Sequence, residues 1–159
     1  MLRQFLVAGI VTDTLWIADQ SIKYFFVTHP STFWGVFDFL SFHLVINSGI
    51  AFGIALPRWL VIITTGGILV VVGVLLGKAY RQRQVLPLWG LMLIVGGGIS
   101  NLIDRVFRGE VVDYIDLKFF TVFNLADILI SAGVVVLLVF LLRGSSHAGQ
   151  INSSTLHSV

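Results

Sequence analysis

Four long apolar segments constrain this chain more than any other feature of its sequence. Residues 60–77 and 86–103 carry no charged side chain before Asp104, whereas residues 5–27 and 123–142 are interrupted by acidic residues. A helix crosses the bilayer core with about 20 apolar residues. The pattern therefore predicts four transmembrane helices.

Composition supports this and excludes other classes of protein. Hydrophobic residues make up 57% of the 159 residues and charged residues 11%, with a net charge of +2. A soluble domain carries roughly 25% charged residues. So few charges do not cover a water-facing surface, which argues against a soluble enzyme, a disordered chain or a nucleic-acid-binding protein.

The cations beside the four segments predict how they are oriented. Those in short flanking stretches are Arg3, Lys78, Arg81, Arg83 and Arg143. Because short cytoplasmic segments are enriched in Lys and Arg, both termini are expected in the cytoplasm. Residues 28–59 and 104–122 then lie outside, although the second of these also contains three cations among its acids.

The first outer segment is rich in Phe, Val and Ile and contains the turn sequence Asn47-Ser48-Gly49. These features predict a small β-hairpin on the outer membrane surface, with a short re-entrant helix as the alternative. The stretch from Gly144 is small and polar. We therefore expect an all-α membrane domain over residues 1–143, with four helices and this hairpin or cradle, and a disordered cytoplasmic tail over residues 144–159.

Acidic residues inside apolar segments are candidates for function, because an Asp at the centre of a membrane helix costs about 2.5 to 3.5 kcal/mol. Asp19 and Lys23 are four residues apart and share one helix face. Their spacing predicts an ion pair near the outer end of the first helix, or a support for a neighbouring site. The pattern assigns no role to Asp13.

A second polar cluster lies at the outer end of the third helix. Asn101, Asp104 and Arg105 are spaced so that they are expected to project on one side, next to a glycine run at residues 96–98 that permits close approach of another helix or a substrate. Three polar groups at one membrane depth favour a functional role over a simple anchor.

A third cluster contains the remaining candidate carboxylates. Asn124 and Asp127 are three residues apart at the start of the fourth helix, where the helix dipole favours a carboxylate. Asp113 lies in the second outer segment, too far along the chain to meet Asp127 on the same helix. A fold of the intervening loop could bring the two carboxylates together at the outer interface.

The residues that the sequence lacks exclude several kinds of catalytic site. The chain has no cysteine, its four histidines lie in loops or the tail, and the G-x-S-x-G and H-E-x-x-H motifs are missing. This argues against thiol, serine and zinc proteases. Two adjacent carboxylates can share one proton and activate a water. The alternatives are a proton or ion relay through Asp19, Lys23 and Asp127 in a small transporter, and an assembly subunit without catalysis.

Five motifs, in this order along the chain, resemble the lipoprotein signal peptidases, the bacterial type II signal peptidases. They are Asp19-Gln-Ser-Ile-Lys23, Asn47-Ser-Gly-Ile-Ala-Phe-Gly53, Gly97-Gly-Ile-Ser-Asn101-Leu-Ile-Asp-Arg105, Gly109-Glu-Val-Val-Asp113-Tyr-Ile and Phe123-Asn-Leu-Ala-Asp127. Ile50 and Ser100 depart from the family's usual small residue and glycine. Either departure could alter the fit of the groove, and neither touches the two candidate aspartates.

The resemblance implies an aspartic endopeptidase of the bacterial inner membrane, with its active site at the periplasmic face. Asp113 and Asp127 would be catalytic and Asp19 and Lys23 would support the site. The residues implied to bind substrate or support the catalytic pair are Asn47, Gly97, Asn101, Arg105 and Asn124. The implied substrates are prolipoproteins, cut just before a Cys that carries diacylglycerol. Membrane lipid and cyclic-peptide inhibitors such as globomycin are the other implied partners, with no metal, cofactor or nucleic acid.

Overall fold

A computed structural model describes residues 1–48 and 56–156, with side chains described as far as residue 143. In chain order its elements are α1 (Leu2–Thr28), β1 (Phe33–Phe37), β2 (Leu40–Asn47), α2 (Arg58–Arg81), α3 (Val85–Phe107), β3 (Val111–Leu117) and α4 (Leu125–Leu156). Each of the four helices contains a stretch long and apolar enough to cross a membrane. The predicted four-helix membrane fold is confirmed.

α3 occupies the centre of the bundle and packs against the other three helices. Half of the residues in the apolar, membrane-length stretch of α3 are buried, a much larger share than in the corresponding stretches of α1, α2 or α4. Glycines let α4 approach it closely, since a Cβ on Gly97 would overlap the carbonyl oxygen of Ala126 and one on Gly90 would lie 2.9 Å from that of Gly133. The two helix backbones therefore meet at Ala126, immediately before Asp127.

The outer segments form one antiparallel sheet in the order β1-β2-β3. The predicted hairpin is present as β1 and β2, which excludes a re-entrant helix over residues 33–47. The hairpin turn lies at Asp38 and Phe39, whereas Asn47 of the predicted turn ends β2 and pairs with Val111 of β3. The remainder of the Asn47–Gly53 motif, including Ile50, lies outside the described residues apart from Ser48.

The third strand was not predicted, and it changes the role of the sheet. β3 comes from the second outer segment and joins β2 through an antiparallel ladder that includes Val45 opposite Asp113. Asn47 is two residues beyond Val45 and shares its face of the sheet. The sheet thus attaches the loop that carries Asp113 to the hairpin and sets Asn47 beside it.

Two further predictions concern residues outside this core. α4 is helical to Leu156 and so enters the segment predicted to be a disordered tail; the division of the chain at residue 143 stays a prediction. Asp13 is exposed on α1 and has no hydrogen bond or ion pair with any described residue. The structure therefore keeps Asp13 apart from the buried polar groups.

Candidate active site

A fully buried charge cluster joins α1 to α3. The Nζ atom of Lys23 lies 2.8 Å from Asp19 Oδ2 and 2.9 Å from Asp104 Oδ2, and it donates a hydrogen bond of 3.0 Å to Asn101 Oδ1. An ammonium group has three N–H donors, and each has an acceptor here. The predicted ion pair between Asp19 and Lys23 is confirmed, and Lys23 also fixes the amide of Asn101.

Asp104 does not share a surface with Arg105 as the sequence predicted. Its carboxylate is buried against Lys23 and also forms an ion pair with Arg108, the residue that follows the last turn of α3. On a helix with 100° per residue, Asp104 and Arg105 are about 100° apart. That angle is enough to place Asp104 against α1 and Arg105 toward a cavity between α3 and α4.

Asn124 and Asp127 cap the start of α4 reciprocally. The main-chain amide of Asp127 donates to Asn124 Oδ1 at 3.0 Å, and the main-chain amide of Asn124 donates to Asp127 Oδ2 at 3.2 Å. This is a capping box with Asp in the position usually held by Glu or Gln. The other oxygen, Oδ1 of Asp127, accepts a 2.8 Å hydrogen bond from Asn101 Nδ2. The carboxylate of Asp127 is thus held at both oxygens.

The next two amides of α4 are capped by residues from elsewhere in the chain. Leu125 N donates to the hydroxyl of Tyr114 at 3.1 Å, and Ala126 N donates to Asp19 Oδ1 at 3.3 Å. The Tyr114 hydroxyl in turn donates to Asp19 Oδ1 at 3.0 Å. Because the first amides of a helix lack partners within the helix, these bonds anchor α4 to α1 and β3.

Asp113 is held by two amide side chains. Asn47 Nδ2 donates to its Oδ2 at 2.9 Å, and Asn124 Nδ2 donates to its Oδ1 at 2.6 Å. Asn124 is fully buried and also accepts from the Asp127 amide. A single asparagine therefore connects Asp113 on β3 with Asp127 on α4.

Both carboxylates line one cavity of about 600 Å³. Its polar wall contains five of the residues singled out in the sequence: Asn47, Asn101, Arg105, Asp113 and Asp127. The rest of the lining is mostly apolar and includes Phe120, Val122, Phe123, Ile128, Ile130 and Val135. The cavity combines two acids with an apolar surface large enough for part of a lipid or peptide chain.

The remaining predicted site residues lie behind this wall. Asn124 is buried and connects the two aspartates through its side-chain amide. Gly97 packs on the Ala126 carbonyl, and Asp19 and Lys23 belong to the buried charge cluster. Ser100 also faces away from the cavity, since its Oγ donates to Asp19 at 2.6 Å. Its departure from the usual glycine therefore bears on the α1–α3 contact and not on the fit of the groove.

The surroundings of Asp113 favour the protonated form of its carboxyl more than bulk water would. Burial raises the pKa of its carboxyl from 3.8 to about 6, and the nearby charge of Asp127 acts in the same direction. Hydrogen bonds from Asn47 and Asn124, together with the charge of Lys23, oppose this rise. A raised carboxyl pKa beside a second carboxylate is the pattern of a pair that shares one proton.

Sequence reasoning missed three residues that organise the site. Tyr114 caps α4, Gln20 donates to Ser100 Oγ at 2.8 Å, and Arg58 donates to the carbonyl oxygens of Arg105 and Val106 at 2.9 and 2.8 Å. The position of Tyr114 directly after Asp113 was a signal in the sequence that could have marked it as a site residue. No sequence signal pointed to Arg58, because its partners are main-chain atoms. Among the described residues, no group of three or more His, Asp or Glu side chains is placed to hold a metal ion.

Comparison with known proteins gives a consistent result. The family model described as signal peptidase (SPase) II matches residues 11–143. Among curated relatives named lipoprotein signal peptidase, that of Bartonella tribocorum is 40% identical over 135 residues, covering 79% of this chain and 80% of the relative. That of Rhodococcus jostii is 36% identical over 153 residues, covering 88% and 72%.

Two solved structures share the fold. One, described as a bacterial membrane enzyme determined by the in meso method at 2.3 Å, has a TM-score of 0.79 and 28% identity, covering 89% of this chain and 90% of its own. Another, described in the same words at 1.9 Å, has a TM-score of 0.73 and 28% identity, covering 86% and 93%.

Proposed function

The chain belongs to the signal peptidase II family, and from that membership we propose that it removes signal peptides from prolipoproteins as an aspartic endopeptidase of the membrane. One observation carries the aspartic part of this proposal. Asp113 and Asp127 come from separate elements, yet they line the same cavity and are connected through Asn124.

In the proposed reaction the two carboxylates hold one proton between them. The ionised member removes a proton from a water, which attacks the scissile carbonyl carbon. The protonated member donates a hydrogen bond to the carbonyl oxygen as negative charge develops there, and a proton then passes to the leaving amine. Because the two groups titrate as a pair, neither role is assigned to one residue.

Three side chains from the polar wall support this chemistry. Asn47 and Asn101 each donate to one aspartate and so hold the two carboxylates in fixed orientations. Arg105 lines the cavity beside them and is available to donate to a peptide carbonyl of the substrate. Gly97 and Asn124 support the pair from behind, as do Asp19 and Lys23 through Asn101.

The form of the cavity favours a substrate that carries lipid. Its apolar lining adjoins the two acids, so a diacylglyceryl-modified Cys could reach them laterally from the membrane. With Lys78, Arg81, Arg83 and Arg143 on the cytoplasmic side, the site lies at the periplasmic face of the inner membrane. Cyclic-peptide inhibitors such as globomycin would compete for the same cavity.

A transporter relay is less well supported. A relay needs titratable groups in a continuous path across the bilayer. Asp19 and Lys23 are buried with Asp104 at one end of the bundle, whereas Asp13 is exposed and separate from them. Asp113 and Asp127 line one cavity, and Asp19 and Asp104 are buried behind it. These four acids cluster at one end of the bundle and do not form a line through the membrane.

The test is a cleavage assay with the purified full chain in lipid. The substrate is a prolipoprotein carrying diacylglycerol on its Cys, and the matched control is the same precursor without lipid. We expect cleavage just before the modified Cys, found by mass spectrometry of both products, with inhibition by globomycin. Cleavage elsewhere, equal cleavage of the unmodified precursor, or no cleavage of either would contradict the proposal.

A further inference from the structure

The apolar wall that α4 contributes to the cavity contains one hydroxyl group, that of Ser131. We propose that Ser131 donates a hydrogen bond to an ester carbonyl of the lipid on the substrate, and so helps to select a diacylglyceryl group. This inference rests on the proposed function, since it concerns the substrate of the same cavity.

The position of Ser131 places it beyond the two acids, toward the membrane interior. It follows Asp127 by four residues and so lies on the same side of α4, one turn or about 6 Å further along the helix. Its neighbours in the lining are Ile130, Ala132 and Val135. The side chains of these neighbours offer its hydroxyl no hydrogen bond.

Three Ser and Thr hydroxyls on the exposed faces of α1 and α2 are satisfied within their own helix. Thr14, Ser21 and Thr64 donate to the carbonyl oxygens four residues earlier at 2.7, 2.7 and 2.8 Å. The hydroxyl of Ser131 makes no such bond and no hydrogen bond with any other described residue. Its hydroxyl is therefore available to whatever fills the cavity.

The chemistry of the proposed substrate supplies an acceptor at this place. From the scissile amide nitrogen, the chain runs through Cα, Cβ and sulfur of the modified Cys to the glycerol carbons and their two esters. Ester carbonyl oxygens accept hydrogen bonds and have no donor within the lipid itself. With the scissile bond at Asp113 and Asp127, the glyceryl group extends along the apolar wall past Ser131.

The proposal is tested by removing the hydroxyl and the carbonyl separately. The full chain and its Ser131→Ala variant are assayed in lipid with two modified precursors, one carrying a diacylglyceryl group and the other a dialkylglyceryl ether of equal chain length. We expect Ser131→Ala to lower kcat/KM for the ester substrate roughly three- to tenfold. On the ether substrate the variant and the wild type should be equal.

Two further variants separate recognition from packing. Ser131→Thr keeps a hydroxyl and should keep most of the preference for the ester. Ser21→Ala removes a hydroxyl outside the cavity and should leave both rates unchanged. An equal loss by Ser131→Ala on both substrates, or no loss on either, overturns the inference while leaving the proposed function intact. Failure of the wild type to cleave the ester substrate overturns the proposed function, and this inference with it.

Discussion

Replacing Lys23 by Met should test the buried charge cluster that supports the site. Lys23 is fully buried and contacts Asp19, Asp104 and Asn101. Met has a similar length and no charge, so the change removes the cation and leaves the apolar packing of its stem. The cluster of Asp19, Asp104, Lys23 and Arg108 then goes from balanced to one surplus negative charge.

The expected cost follows from the loss of one partner of a buried ion pair. Breaking such a pair by removing one partner typically costs about 3 to 5 kcal/mol. Asp19 keeps donors from Ser100, Tyr114 and the Ala126 amide, which places the cost in the lower part of that range. We therefore expect a loss of about 3 to 4 kcal/mol in the free energy of unfolding at pH 7.

The assay is equilibrium unfolding in mixed detergent micelles at pH 7. Lys78→Met, at an exposed position, is the matched control. A second change, Asp104→Asn, should restore part of the stability of Lys23→Met. A loss below about 1 kcal/mol at pH 7 would refute the reasoning.

Three further predictions concern the cavity and its supports. Because burial raises the pKa of Asp113 to about 6 and the one-proton form of the pair is lost above it, kcat/KM should fall as the pH rises through about 6 in a pH–rate profile. Gly97→Ala should cost about 1 to 3 kcal/mol in stability and lower activity, since the new methyl group overlaps the Ala126 carbonyl. Tyr114→Phe should cost about 1 to 3 kcal/mol, measured by unfolding, because the buried Asp19 carboxylate loses one donor and the half-buried Leu125 amide loses its acceptor.

Each of the two substitutions has a control within the chain. Gly67→Ala on α2 introduces a methyl group with no packing neighbour within 4 Å and should lower neither stability nor activity. Tyr24→Phe alters an exposed tyrosine and should leave stability unchanged. A profile without a falling limb near pH 6, or equal effects of either substitution and its control, would count against the corresponding argument.

Much of the fold followed from local patterns in the sequence. The four spans could be predicted because apolar length is a local property, and the β1–β2 hairpin because its strands adjoin in the chain. The start of α4 was readable too, since Asn124 and Asp127 form their capping box within one turn. The ion pair of Asp19 with Lys23 depends only on their spacing along one helix.

The rest depended on contacts between distant segments. No local pattern shows that β3 pairs with β2, yet this pairing brings Asn47 to Asp113. Asp104 was expected beside Arg105, but Lys23 on α1 and Arg108 hold it on another side of α3. From the sequence, a shared site for Asp113 and Asp127 was a requirement of the two-aspartate hypothesis and could not be predicted by itself. The packing of α3, α4 and the sheet brings both residues to one cavity.

The central claim is that Asp113 and Asp127 act as one catalytic unit. It is tested most directly by single-turnover cleavage of the diacylglyceryl-modified precursor by Asp113→Asn, Asp127→Asn and the double variant, with Asp116→Asn, a β3 aspartate outside the cavity, as control. We expect each single variant to lose at least about a thousandfold, the double variant to lose no more than either, and the control to match the wild type. Substantial cleavage by either single variant, in protein that remains folded and inserted, would contradict the account.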